Sequence, residues 1–220
     1  MSPREVMALG LIFTLFFDLA AGLFGSQDSP EFAARRKRMV ESQIAGRGVR
    51  DPQVLRAMSE VARQLFVPAG SADEAYEDYP LPIGGGQTIS QPYIVALMTE
   101  RLALGKDAKV LEVGTGSGYQ AAVLSLIAAE VFTVEIDPEL ARQAAATLGR
   151  LGYKNVHVRA GFFGWPEASP FDGIIVTAAA TEVPPALFAQ LKEGGRMVIP
   201  LGDPRSFQVL TLVTKRGGKA

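Results

Sequence analysis

The residues best equipped for chemistry lie in the run Lys109-Val110-Leu111-Glu112-Val113-Gly114-Thr115-Gly116-Ser117-Gly118-Tyr119. A short apolar stretch carries an acid, passes through alternating glycines, and opens an Ala- and Leu-rich segment over residues 120–129. That order predicts a strand, a tight turn and a helix N-terminus. Glycine at every second position leaves backbone N–H groups bare and lets a ligand come closer than any side chain permits. Such a turn is suited to holding a cofactor.

Two carboxylates narrow the choice. The dinucleotide fingerprint is G-x-G-x-x-G, with a pyrophosphate on the helix N-terminus. Here the position of its third glycine is Tyr119, and the glycines run G-x-G-x-G over Gly114, Gly116 and Gly118. Glu112, two residues before the first glycine, repels a pyrophosphate and suits a cation. A further strand-like run, Val131-Phe132-Thr133-Val134, ends at Glu135, whose carboxylate can accept hydrogen bonds from both hydroxyls of a ribose. Acid, glycine turn and second acid fit S-adenosylmethionine better than NAD. Glu112, Gly114, Thr115, Gly116, Ser117, Gly118 and Glu135 are therefore the candidate cofactor residues.

The elements that must position them follow from the rest of the chain. At 220 residues and 48% hydrophobic, it suits one good-sized domain with an appendage. A net charge of −1 provides no overall field for nucleic acid or an anionic membrane, so no nucleic-acid partner is expected. The absence of cysteine removes disulfide and thiolate chemistry, and a single histidine excludes a histidine-rich metal site. That histidine, His157, falls in the alternating pattern Asn155-Val156-His157-Val158, which points it away from the apolar face in a structural role.

Residues 6–24 are almost wholly apolar, interrupted by Asp18, with Arg4 before them. They resemble a secretory signal peptide or a membrane anchor of marginal length. The cluster Arg35-Arg36-Lys37-Arg38 outweighs Arg4 and by the positive-inside rule keeps the following domain in the cytoplasm, where S-adenosylmethionine is made. A start codon assigned too far upstream is the third reading. Residues 1–30 are taken as this segment and its linker. Residues 31–220 are the catalytic domain, with a helical subdomain over 31–105.

A charged amphipathic helix is expected over residues 31–45, its basic run a solvated face. Asp51-Pro52 starts another, Asp as cap and Pro in the first turn. Residues 79–92 are too rich in Pro and Gly for a regular element and lead into a helix over 93–104. Ser90 there can cap that helix, or present its hydroxyl to a substrate at the mouth of the cofactor site. From Lys109 onward six short apolar runs alternate with helical stretches at 119–129, 138–151 and 185–192. This is a doubly wound α/β pattern with a mainly parallel sheet, a Rossmann-like fold.

From about Arg38 to the end, the chain resembles protein-L-isoaspartate O-methyltransferases, a family of class I S-adenosylmethionine-dependent methyltransferases. The resemblance is carried by Met39-Val40, Gln43-Ile44, Arg47-Gly48, Phe66-Val67-Pro68, the glycine turn, Gly164-Trp165-Pro166, Ile175-Val176-Thr177-Ala178-Ala179 and Gly194-Gly195-Arg196-Met197-Val198-Ile199-Pro200. Its most specific motif is Gly86-Gln87-Thr88-Ile89-Ser90-Gln91-Pro92. The resemblance implies methylation of the α-carboxylate exposed when aspartate or asparagine rearranges to isoaspartate, followed by spontaneous collapse of the ester to a succinimide. It implies Ser90 as the active-site hydroxyl, Gln87, Thr88 and Ile89 as substrate-binding residues, isoaspartyl proteins and peptides as partners, and a monomer.

Two departures accompany it. Where the family has Gly-Asp-Gly, with the acid by the adenine, this chain reads Ala160-Gly161-Phe162-Phe163-Gly164. The family also continues past the position of Gly217-Gly218-Lys219 into a last strand segment, whereas this sequence stops at Ala220. The rivals are another S-adenosylmethionine methyltransferase, for a small molecule or RNA, and a weakened, non-catalytic homologue.

Overall fold

The computed structural model describes residues 28–203 and 207–220; the apolar run at 6–24 lies outside them. Helix α1 (Pro30–Arg38) is capped by the Ser29 hydroxyl and passes into a wider π turn at Met39–Ile44. Helix α2 (Pro52–Glu60) starts as the sequence requires, with one Asp51 carboxylate oxygen accepting from the N–H of Gln53 at 2.8 Å. Arg36, expected on a solvated face, is instead buried. It donates to Asp28 at 2.8 Å, to the Ser59 carbonyl at 2.7 Å and to the Tyr76 hydroxyl at 3.0 Å. A guanidinium with three acceptors converging on it loses little by leaving water, which the charge run alone did not reveal.

The Pro- and Gly-rich stretch is more regular than expected. Strands β1 (Leu81–Gly84) and β2 (Gln87–Ile89) pair antiparallel, with Leu81 opposite Ile89. Gly84, Gly85 and Gly86 all take positive φ and turn the chain back between them. Helix α3 (Pro92–Leu102) follows, capped at Gln91 without any side-chain bond. Ser90 is therefore not the cap: Pro92 at the first helical position fixes the cap one residue later.

The remaining elements are β3 (Lys109–Val113), α4 (Tyr119–Ser125), β4 (Glu130–Glu135), α5 (Pro138–Arg150), β5 (Val156–Ala160), β6 (Phe171–Val176), α6 (Pro185–Gln190), β7 (Leu191–Gly202) and β8 (Gln208–Thr214). Six strands form one sheet in the order β5-β4-β3-β6-β7-β8, all parallel except β8 against β7. Apolar residues alternate between its faces. Val110, Val131, Ile175 and Val198 join α2, α3 and α4 in one core, while Leu111, Ile174, Met197 and Ile199 join Leu187 of α6 in the other. Both faces are covered, as parallel sheets require.

The chain proceeds from β3 outward to β5, then returns to place β6 on the other side of β3. That reversal opens a crevice at the carboxyl ends of β3 and β6, where ligands bind in open α/β sheets.

Candidate active site

A cavity occupies this crevice. It is lined by Gln87, Thr88, Ile89 and Ser90 on one side and by Glu112, Gly114, Thr115, Gly116, Ser117 and Glu135 on the other. Of the candidate residues only Gly118 is absent from the wall. A side chain there would meet Leu148 of α5 at 3.1 Å, so its bareness serves the packing of α5 against the turn.

The turn's N–H groups are not bare. Gly114 and Thr115 donate to the Val134 carbonyl at 2.8 and 3.2 Å, Gly118 to the Thr115 carbonyl at 2.9 Å, and Gly116 to Glu135 Oε2 at 2.8 Å. With four donors spent on the protein, the turn is no nest for a pyrophosphate. Glu135, almost fully buried, also accepts from the Asp137 N–H at 3.1 Å, which leaves acceptor positions on both oxygens for hydroxyl groups.

Glu112 is the strongest electrostatic feature. It is completely buried, neither carboxylate oxygen has a hydrogen-bond partner among the described residues, and burial pushes its pKa up to about 8. An orphaned carboxylate at a cavity wall calls for a cation. Thr177 closes the crevice from β6, its hydroxyl donating to the carbonyls of Val113 and Gly114 at 3.1 and 2.7 Å.

Ser90 is half-buried, and its hydroxyl bonds to no protein group among the described residues. His157 stacks on Phe132 with ring centroids 4.7 Å apart and does not reach the cavity. Among the described residues no group of acids or histidines assembles to hold a metal. The sequence reading missed Ile136, Gly161 and Phe162, which extend the wall past the ends of β4 and β5. Ala160 completes the register opposite Glu135, and Gly161 donates to the Glu135 carbonyl at 2.8 Å, so Phe162 arrives at the rim. For Ile136 the signal was available: it is the first residue past a strand end that already carried a ligand acid.

A doubly wound sheet with an acid-flanked glycine turn at its switch point and a second acid at the end of the next strand defines a class I methyltransferase. The cavity fits S-adenosylmethionine: Glu112 would face its cationic end and Glu135 its ribose. The family profile of protein-L-isoaspartate(D-aspartate) O-methyltransferases matches residues 34–220. The chain is 52% identical over 215 residues to protein-L-isoaspartate O-methyltransferase 2 of Shewanella sediminis, covering 97% of this chain and 88% of that one. It is 59% identical over 186 residues to the Opitutus terrae protein-L-isoaspartate O-methyltransferase, covering 84% and 80%. Among solved structures, a protein-L-isoaspartate O-methyltransferase aligns with TM-score 0.74 at 34% identity over 83% of this chain and 60% of that one. A Plasmodium falciparum chain described as the same enzyme, in complex with S-adenosyl-L-homocysteine, aligns with TM-score 0.70 at 27% identity over 83% and 91%. The protein belongs to the protein-L-isoaspartate(D-aspartate) O-methyltransferase family, whose members depend on S-adenosylmethionine.

Ile136 and Phe162, both largely exposed, make the rim of this cavity beyond Glu135 apolar. Phe162→Ala is expected to weaken S-adenosylhomocysteine binding roughly fivefold to tenfold, the scale of one stacked base. Isothermal titration checks this; unchanged affinity would place the base elsewhere.

Proposed function

We propose that this protein transfers a methyl group from S-adenosylmethionine to the α-carboxylate of L-isoaspartyl residues in damaged proteins and peptides. Its cavity has two chemically opposite ends, and this observation supports the reading most directly. Glu112 and Glu135 would face a cationic nucleoside, while Ser90, with Gln87, Thr88 and Ile89 beside it, would offer its hydroxyl to an acceptor.

The acceptor carboxylate is ionised at neutral pH, so the protein has no proton to remove. The cofactor, when bound, supplies a methyl group already activated by a positive sulfur. The residues therefore work by placement: Glu112 and Glu135 fix the donor, and Ser90 orients the carboxylate by donating a hydrogen bond without neutralising it. Positioning of this kind contributes roughly 7–11 kcal/mol. We place the reaction in the cytoplasm, on the basic cluster after residue 24 and the cofactor's source. Among the described residues no helix is long and apolar enough to cross a membrane.

The test is transfer of label from methyl-labelled S-adenosylmethionine to an isoaspartyl peptide and to its aspartyl twin. Base-labile label on the isoaspartyl peptide alone is expected; label on neither, with the cofactor bound, would sink the assignment. Ser90→Ala removes one hydrogen bond to a charged group, about 1.5–3 kcal/mol. Turnover is thus expected to fall roughly tenfold to a hundredfold. Because that hydroxyl bonds to nothing among the described residues, cofactor affinity and thermal stability should hold.

A further inference from the structure

Arg63, in a short 3-10 turn at Arg63–Phe66, is fully buried. Its Nε donates to the Ala75 carbonyl at 2.6 Å and its Nη2 to the Ser90 carbonyl at 2.8 Å. The guanidinium lies over the Tyr119 ring, 4.8 Å from the centroid. Among the described residues its Nη1 has no hydrogen-bond partner and no carboxylate pairs with it. An arginine does not lose its proton in a protein interior, so the fold carries an uncompensated positive charge here. Removing such a charge from water is costly, and ordinary buried arginines, such as Arg36 with Asp28, are paired.

Its place explains the exception. Of the three residues Arg63 touches, Ser90 and Tyr119 line the cavity, and Ala75 does not. The charge therefore stands directly behind the Ser90 backbone, at a cavity whose wall also includes Glu112. The cavity is thus flanked by two buried groups without a partner among the described residues, the Arg63 guanidinium and the Glu112 carboxyl.

We infer that Arg63 is a positioning residue for the acceptor: it fixes the Ser90 segment through that residue's carbonyl, and its unmatched charge draws the substrate's carboxylate to this end. The inference rests on the proposed reaction. It also predicts how the two contributions separate. The carboxylate loses its negative charge as the methyl group arrives, so attraction to Arg63 is stronger in the ground state than in the transition state. Losing the charge should therefore appear in KM, and losing the grip on Ser90 in kcat.

Arg63→Met and Arg63→Lys of the full chain separate them. Arg63→Met is expected to raise KM for an isoaspartyl peptide roughly tenfold and to lower kcat as well. Arg63→Lys keeps the charge but cannot hold both carbonyls, so KM should return close to wild type while kcat stays low. With S-adenosylhomocysteine bound, wild type and Arg63→Lys should prefer the isoaspartyl peptide over its uncharged α-carboxamide analogue, and Arg63→Met should not. S-adenosylhomocysteine affinity within about twofold of wild type reports an intact fold and cofactor site.

Unaltered discrimination in an Arg63→Met protein that binds S-adenosylhomocysteine would overturn the inference. Loss of S-adenosylhomocysteine binding in both variants would also overturn it, reducing Arg63 to a structural tie. Failure of the wild type to methylate the peptide, seen before any variant is made, would instead remove the functional reading, and this inference with it.

Discussion

Glu112→Gln is expected to bind S-adenosylmethionine roughly thirtyfold more weakly, or worse, than wild type, the scale of removing one partner from a buried charge pair. The pH dependence should change with it. In the free protein burial holds the Glu112 carboxyl at about 8, so near neutrality it is mostly protonated. A bound cation favours the ionised form, so binding expels a proton. Wild-type affinity should then rise with pH up to about 8 and level off above it, whereas Glu112→Gln should show no such rise.

Stability runs the opposite way. The folded pKa lies above the ordinary carboxyl value of 4.5, so the folded state holds this proton more tightly than the unfolded chain does. The resulting stabilisation is fully present below that ordinary value and is lost as pH rises through about 8. The loss is on the order of 5 kcal/mol. Urea unfolding of cofactor-free protein at low, neutral and high pH should show this slope in wild type and not in Glu112→Gln. Above the folded pKa the variant should be the more stable protein and the poorer cofactor binder. Equal slopes in the two proteins would mean that Glu112 is solvated after all.

Gly114→Ala is expected to abolish measurable cofactor binding. A Cβ at Gly114 would fall 2.2 Å from Thr177 Oγ1, at a φ of +100° that side chains rarely adopt. Thr177 cannot yield cheaply, because its hydroxyl is committed to the carbonyls of Val113 and Gly114. The turn must move, and the stability cost should be about 3 kcal/mol, strain and overpacking together. Thr177→Ala added to Gly114→Ala removes the clashing oxygen and should restore part of the binding. Gly149→Ala is the control, since its site in α5 is open and its φ unexceptional. That change should stabilise the protein by about 0.5–1 kcal/mol. Binding by Gly114→Ala at wild-type strength would show that the turn adapts.

The site was legible where chemistry and local geometry coincide. Alternating glycines between an apolar run and a helix can be little else, and Glu112 and Glu135 declare themselves by following strand patterns. Asp51-Pro52 marks a helix start by itself, because both cap and ring act within one turn. What pairing decides was not legible. The turn's N–H groups are consumed because β3 and β4 pair with Val113 beside Val134, which brings Glu135 against Gly116. No local pattern contains that register. Arg36 read as a surface charge and nothing in the sequence singled out Arg63, since their burial depends on Tyr76, Ser59, Ala75 and Ser90, which the fold brings from elsewhere.

The glycine turn is held by two clamps at very different distances along the chain. Glu135 grips Gly116 from 19 residues downstream, while Thr177 grips Gly114 from 63 residues downstream. Closing the longer loop costs more entropy, and contacts of that range slow folding. During synthesis β3, β4 and β5 emerge before β6, so the wall at Glu135 can be complete while the crevice beside it still has no second side. Tight cofactor capture therefore waits for β6. In a refolding experiment, the appearance of cofactor affinity would time the docking of the second half of the sheet, a late event in the birth of the molecule.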